Sequence, residues 1–179
     1  MLFDWLKTKE FAGVFTRKTR EAIDRHFVFS DVEVIVKDKD GNVKSRSFQK
    51  NLRTNVGADF WNTQLFATGA AGAQANYIGI TTDNTAPAAA DTSLASEETA
   101  NGLARAQASV THTTSATSTV LSHTWTYTGS TTKVIAKAGL FTAAGPPVAG
   151  TMALETLLSS TATVNSNGDQ ITLNWTINF

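Results

Sequence analysis

The chain has 179 residues, no cysteine, and 15 basic against 15 acidic side chains. That length allows one well-buried core, or a core with a small appendage. The absence of cysteine excludes disulfides, a thiol nucleophile and thiolate metal sites, and overall neutrality argues against a dedicated nucleic-acid binder, which needs dense positive charge to release counterions.

The charge is unevenly placed. Residues 1–53 hold 12 Lys and Arg against 8 Asp and Glu, a net of +4, whereas residues 54–179 hold 3 against 7, a net of −4. Two regions are expected: an attachment region over 1–53 and a β domain over 54–179. No apolar run approaches the roughly 18 residues of a membrane span. Charges scattered through Met1-Leu2-Phe3-Asp4-Trp5-Leu6-Lys7 do not make a secretory signal.

Residues 2–27 read as helix, because Leu2, Phe3, Leu6, Phe11, Val14, Phe15, Ala22, Ile23 and Phe27 recur at helical spacings. Gly13 is a point where this helix would divide. Three roles are open: covering the edge of its own domain, docking into a neighbouring subunit, or lying on a membrane surface. For docking, the candidate surface is Leu2, Phe3, Trp5, Leu6, Phe11, Val14 and Phe15, with Lys7, Lys9, Arg17 and Lys18 meeting acidic neighbours.

A hairpin follows. Val32, Val34 and Val36 alternate with polar positions, and residues 43–48 return after Asp38-Lys39-Asp40-Gly41-Asn42, an Asp-Gly turn signal. The same turn does not fit a calcium loop. With Gly41 at the glycine position, the first and last ligands fall on Val36 and Ser47, where acids are needed.

Residues 55–67 read as a helix with Asn55 as N-cap and Val56, Phe60, Trp61, Leu65 and Phe66 on one broad face. The small residues of 67–75 predict a loop, and 76–82 a short strand. Further strands are expected at about 103–113, 119–128, 133–141, 151–158 and 170–179. The last alternates Ile171, Leu173, Trp175, Ile177 and Phe179 with uncharged Gln170, Thr172, Asn174, Thr176 and Asn178. Period-two alternation puts each set on one sheet face. The fold class predicted is mainly β, a β-sandwich or jelly-roll-like domain with an N-terminal helical segment and β-hairpin.

No catalytic, cofactor-binding or metal set emerges, and no enzyme is expected. His112 and His123 are candidate neighbours on adjacent strands, but two histidines make a poor zinc site, and surface positions on polar strand faces are the plainer reading. The adjacent Glu97 and Glu98 read as solvated surface. Gly69-Ala70-Ala71-Gly72 lacks the lysine of a phosphate loop. Asn174-Trp175-Thr176 matches a glycosylation pattern inside a strand, as a chance occurrence. The four tryptophans, Trp5, Trp61, Trp125 and Trp175, read as core rather than as a sugar-stacking platform.

One resemblance rests on the order of several features. Lys50-Asn51-Leu52-Arg53-Thr54-Asn55-Val56-Gly57 leads into a helix. Next come Tyr77-Ile78-Gly79-Ile80-Thr81-Thr82-Asp83-Asn84-Thr85-Ala86-Pro87, continuing to Leu94, and then Gly102-Leu103-Ala104-Arg105-Ala106. Ala138-Gly139-Leu140-Phe141 precedes a Gly/Pro turn, and an Ile-Thr-Leu-Asn-Trp-Thr-Ile strand closes the chain. Over residues 50–179 this order resembles virion structural proteins of tailed bacteriophages.

The resemblance implies a capsid decoration or accessory protein, or alternatively a tail, collar, fibre or baseplate component. Its partners would be other virion proteins (major capsid, neck or tail), with homo-oligomers expected and no nucleic acid, membrane or cofactor. Its location would be the virion, assembled in the host bacterial cytoplasm. The basic helix and the Asp-Gly hairpin lie outside the pattern. From another class, a carbohydrate-binding host-recognition module is the alternative.

Overall fold

The computed structural model describes residues 29–66, 74–145 and 150–178. The whole candidate docking surface, from Leu2 to Lys18, lies outside these described residues.

Alternating sequence becomes strand wherever one side chain in two can be buried. Among the described residues the strands are β1 (Phe29–Lys37), β2 (Val43–Lys50), β3 (Leu52–Arg53), β4 (Tyr77–Thr81), β5 (Ala106–Gln107), β6 (Ser109–His112), β7 (Ser118–Thr126), β8 (Lys133–Phe141), β9 (Met152–Val164) and β10 (Gln170–Asn178), with one helix, α1 (Asn55–Phe66). They form two five-stranded antiparallel sheets, ordered β2-β1-β10-β7-β6 and β3-β9-β8-β4-β5. The fold is a β-sandwich.

Between the sheets, Val32, Val34 and Val36 of β1, Leu173 and Trp175 of β10, and Leu121 and Trp125 of β7 meet Ile78, Ile80, Ile135, Leu140 and Leu154 of the second sheet. Both core tryptophans also satisfy their ring N–H, Trp125 to the Ala104 carbonyl at 2.8 Å and Trp175 to Ser30 Oγ at 2.9 Å. Burying them therefore strands no polar group.

The expected division at residue 53 does not separate the two sheets. β1 pairs with β10 at nine positions, from Phe29↔Asn178 to Lys37↔Gln170, so the hairpin lies inside the sandwich. Val32, Val34 and Val36 bury their side chains against the same core as the C-terminal strand, which is why the hairpin cannot stand apart.

At two corners a strand leaves one sheet and joins the other. β2 passes into β3 across Asn51, a pairing not expected from sequence, and β5 passes into β6 across the buried Ala108. The expected strand at 103–113 is thus two short ones. β9 runs six residues past its expected end at 158. Between Ile135↔Ala162 and Lys137↔Leu157 the register shifts, and there the β9 chain bulges toward β2. Ser159 Oγ donates to the Phe48 carbonyl at 2.9 Å, and Thr156 Oγ1 to the Lys50 carbonyl at 2.9 Å. Side-chain hydroxyls thus close the edge of β2, a device that blunts an exposed strand.

The cap of the helix lies one residue earlier than expected. Thr54, not Asn55, is the N-cap: its Oγ1 accepts from the Gly57 N–H at 3.0 Å and donates to the Met152 carbonyl at 2.5 Å. Gly57 lets α1 lie directly on β9, since a Cβ there would stand 2.0 Å from the Ala153 carbonyl oxygen. Gly57→Ala must displace backbone rather than a flexible side chain. It is expected to lose about 1–3 kcal/mol in urea unfolding, in the range of overpacked sites.

Candidate functional site

The outer faces of the two sheets differ in kind. No described element packs on the outer face of the first sheet. The second is overlaid by the segment 82–105, which returns beside β4 through the Glu98 N–H to Ile80 carbonyl bond at 2.9 Å.

The uncovered face carries an ordered polar row. The register places Phe48, Glu33, Asn174, Ser122 and Ser109 side by side across all five strands. Hydrogen bonds run along it. Arg46 Nε donates to Glu33 Oε1 at 2.5 Å, Asn174 Nδ2 to Glu33 Oε2 at 2.8 Å, and Ser122 Oγ to Asn174 Oδ1 at 2.6 Å. Thr124 and Thr172 join hydroxyls at 2.8 Å in the neighbouring row. Charge is confined to the β1–β2 side, where Lys50 Nζ lies 2.6 Å from Asp31. From residue 106 to 132 the chain carries no Asp, Glu, Lys or Arg.

At the charged side Phe48 stands 62 % exposed, with the Arg46 guanidinium 5.2 Å from its ring centre. Beside it lies a shallow groove of about 470 Å³ lined by Asp31, Glu33, Phe48, Lys50, Asn174 and Thr176.

The covered face is built on ions. Glu97 and Glu98, expected as solvated surface, are held inward. Glu97 receives Arg105 through Nε at 2.7 Å and Nη2 at 2.5 Å, with both side chains less than a tenth exposed. Glu98 receives Lys133 at 2.9 Å. Arg105 also lies 3.4 Å above the centre of the Phe141 ring, a stacked cation–π arrangement. Gly79 makes room for this layer, because a Cβ there would meet Glu97 Oε1 at 2.6 Å. Leu94, Phe141 and Met152 form a small second core beside it, with Tyr77 packed against them.

Further along the same face, Lys137 Nζ lies 2.8 Å from Asp83 and 3.3 Å from Glu155. Its hydrogen bond from Lys137, with help from Thr85, holds Asp83 down at about 2. Burial would lower Lys137, but Asp83 and Glu155 outweigh it and the net direction is upward. Glu155 goes the other way. Burial, and then the Asp91 carboxyl, raise it to about 7 against the opposing pull of Lys137.

The histidines do not meet. His112 lies opposite Thr119, while β7 pairs Ser122 with Ser109, which puts His123 at the other end of that ladder. His123 is also not on the polar face: it sits opposite Leu173 in the inward phase, half-buried, 4.6 Å edge-on to Trp125. Burial lowers its pKa. Among the described residues no group of three or more His, Asp or Glu is placed to hold a metal ion.

The ion pairs are not legible in the sequence because no helical or hairpin spacing sets them: Glu97 and Arg105 are 8 residues apart, Glu98 and Lys133 35. One signal was present: Arg105, Lys133 and Lys137 are the only Lys or Arg after residue 53, and all three are paired. No family model, curated protein or solved structure matches this chain.

Proposed function

We propose that the chain is a non-enzymatic structural component of a tailed-bacteriophage virion, a decoration or accessory protein that packs against other virion proteins and its own copies. The uncovered first-sheet face carries this reading. It is a five-stranded surface clothed in Ser, Thr and Asn whose side chains are already tied to one another. Such a face loses little side-chain entropy on being covered, and its β10, β7 and β6 strands present no Asp, Glu, Lys or Arg to desolvate. Many repeated weak contacts in a symmetric shell then act together through effective concentration. The residues from Leu2 to Lys18 are the attachment device in this reading, with a capsid, neck or tail protein as their partner.

Deleting residues 2–27 tests it, because all the described strands lie within residues 29–178. The expected outcome is unchanged β-type circular dichroism with loss of incorporation into particles. Full incorporation of the truncated chain would refute the attachment assignment. Copy number separates decoration from a tail, collar or baseplate position: hundreds per particle favour the first, about a dozen or fewer the second.

The groove at Phe48 favours one second reading, a carbohydrate-binding module, since an exposed ring beside carboxylates and an amide is the equipment for holding a sugar. A glycan array with no hits discards it.

A further inference from the structure

The segment 82–105 is fastened by three sets of ions, and one differs from the others. Glu97–Arg105 and Glu98–Lys133 each match one carboxylate to one cation. Around Lys137 the carboxyls outnumber the cation: Asp83 and Glu155 both face it, and Asp91 reaches Glu155 from the overlying segment. Glu155 is fully buried, and neither of its oxygens has an aligned hydrogen-bond donor. An ionised carboxylate is costly in such a place, and a protonated one can donate to Asp91.

Among the described residues, nothing else nearby supplies a second cation. On the flanking strands Leu52 and Gly139 stand opposite Glu155. Arg53 of β3 and Asp59 of α1 are exposed. On β2, Lys44, Arg46 and Lys50 are taken by Asp169, Glu33 and Asp31. On β1, Asp31, Glu33 and Lys37 stand in the outward phase of the other sheet, and β10 carries no charge.

We propose that residues 84–93 form an acid-tightened strap, held on the second sheet by a proton that Glu155 shares with Asp91 and loosened when that proton leaves. The strap is tied to the helix as well, through the Asn55 N–H to Ala89 carbonyl bond at 2.7 Å. At its end Leu94 closes over Phe141 and Met152. Loosening therefore uncovers an apolar patch and frees the start of α1.

The direction follows from linkage. Closed, Glu155 titrates at about 7; opened to water it returns toward its ordinary 4.5. Opening is hardest below about 4.5, becomes easier by up to about tenfold per pH unit toward 7, and is level above that. Asp83 is silent in this window because Lys137 holds it near 2.

The test is amide exchange by mass spectrometry on the whole chain at pH 5 and pH 8, corrected for intrinsic rates, with β10 peptides as internal reference. Protection over 84–93 should fall by on the order of fiftyfold relative to β10 between the two conditions. In Glu155→Gln, which has no proton to lose, the drop should be under about threefold. Equal wild-type protection at both pH values, or an undiminished drop in Glu155→Gln, overturns the proposal. Titration of the Glu155 carboxyl by carbon NMR in the unmodified protein is the second arm, and a midpoint near 4.5 overturns it whatever the variant does.

Discussion

Replacing Arg105 with alanine is expected to cost about 3–5 kcal/mol, the usual penalty for removing one partner of a buried ion pair. Glu97 would keep its charge in a site where its side chain is only 9 % exposed, with the two donors at 2.5 and 2.7 Å gone. The loss has a second part, because the guanidinium also covers the Phe141 ring. Arg105→Lys should recover only part of the stability. A lysine keeps the charge but cannot offer the paired donors or lie flat on a ring.

The decisive comparison is the double replacement Arg105→Met with Glu97→Gln. Removing both charges together should be milder than removing the cation alone, since no uncompensated ion remains. Urea unfolding followed by far-ultraviolet circular dichroism measures all four proteins. An Arg105→Ala loss under 1 kcal/mol would mean that water reaches Glu97 and that the layer is not the anchor of the segment.

That ion layer marks where the sequence stopped being readable. Strands set by alternation are legible: the hairpin from Val32 to Phe48 and the last strand from Gln170. Period-two burial is a local signal, so local residues carry it. Glu97 and Glu98 are illegible for the converse reason. Adjacent acids look solvated until Arg105 and Lys133 are brought to them, and only the folded sheet does that.

β9 is hidden for a different reason. Ser159, Ser160 and Thr161 have the composition of a turn. They are in fact the bulge at which the strand shifts register on β8 and reaches the edge of β2. Ala108 likewise gave no sign of the corner between β5 and β6, because a sheet switch depends on which strands flank it. The uncovered face was visible in outline, as a run of uncharged alternate residues, but its hydrogen-bonded row through Glu33, Asn174 and Ser122 needed the register of four strands to appear.

Trp175 is the residue where local pattern and tertiary packing agree most closely, and its removal should show it. Trp175→Ala is expected to lose about 3–5 kcal/mol, the range for deleting a large buried aromatic. It is fully buried, on a strand flanked by β1 on one side and β7 on the other, so no edge is free to collapse into the space. The change also breaks a polar chain, because the indole N–H donates to Ser30 Oγ and Ser30 donates to Asn51 at the β2–β3 corner. Trp175→Phe separates the two contributions. It keeps most of the apolar volume and drops the donor, so about 1–2 kcal/mol should remain. If the phenylalanine variant falls as far as the alanine one, the hydrogen bond through Ser30 to Asn51, and not the filling of the core, is what ties β10 to the corner between the sheets.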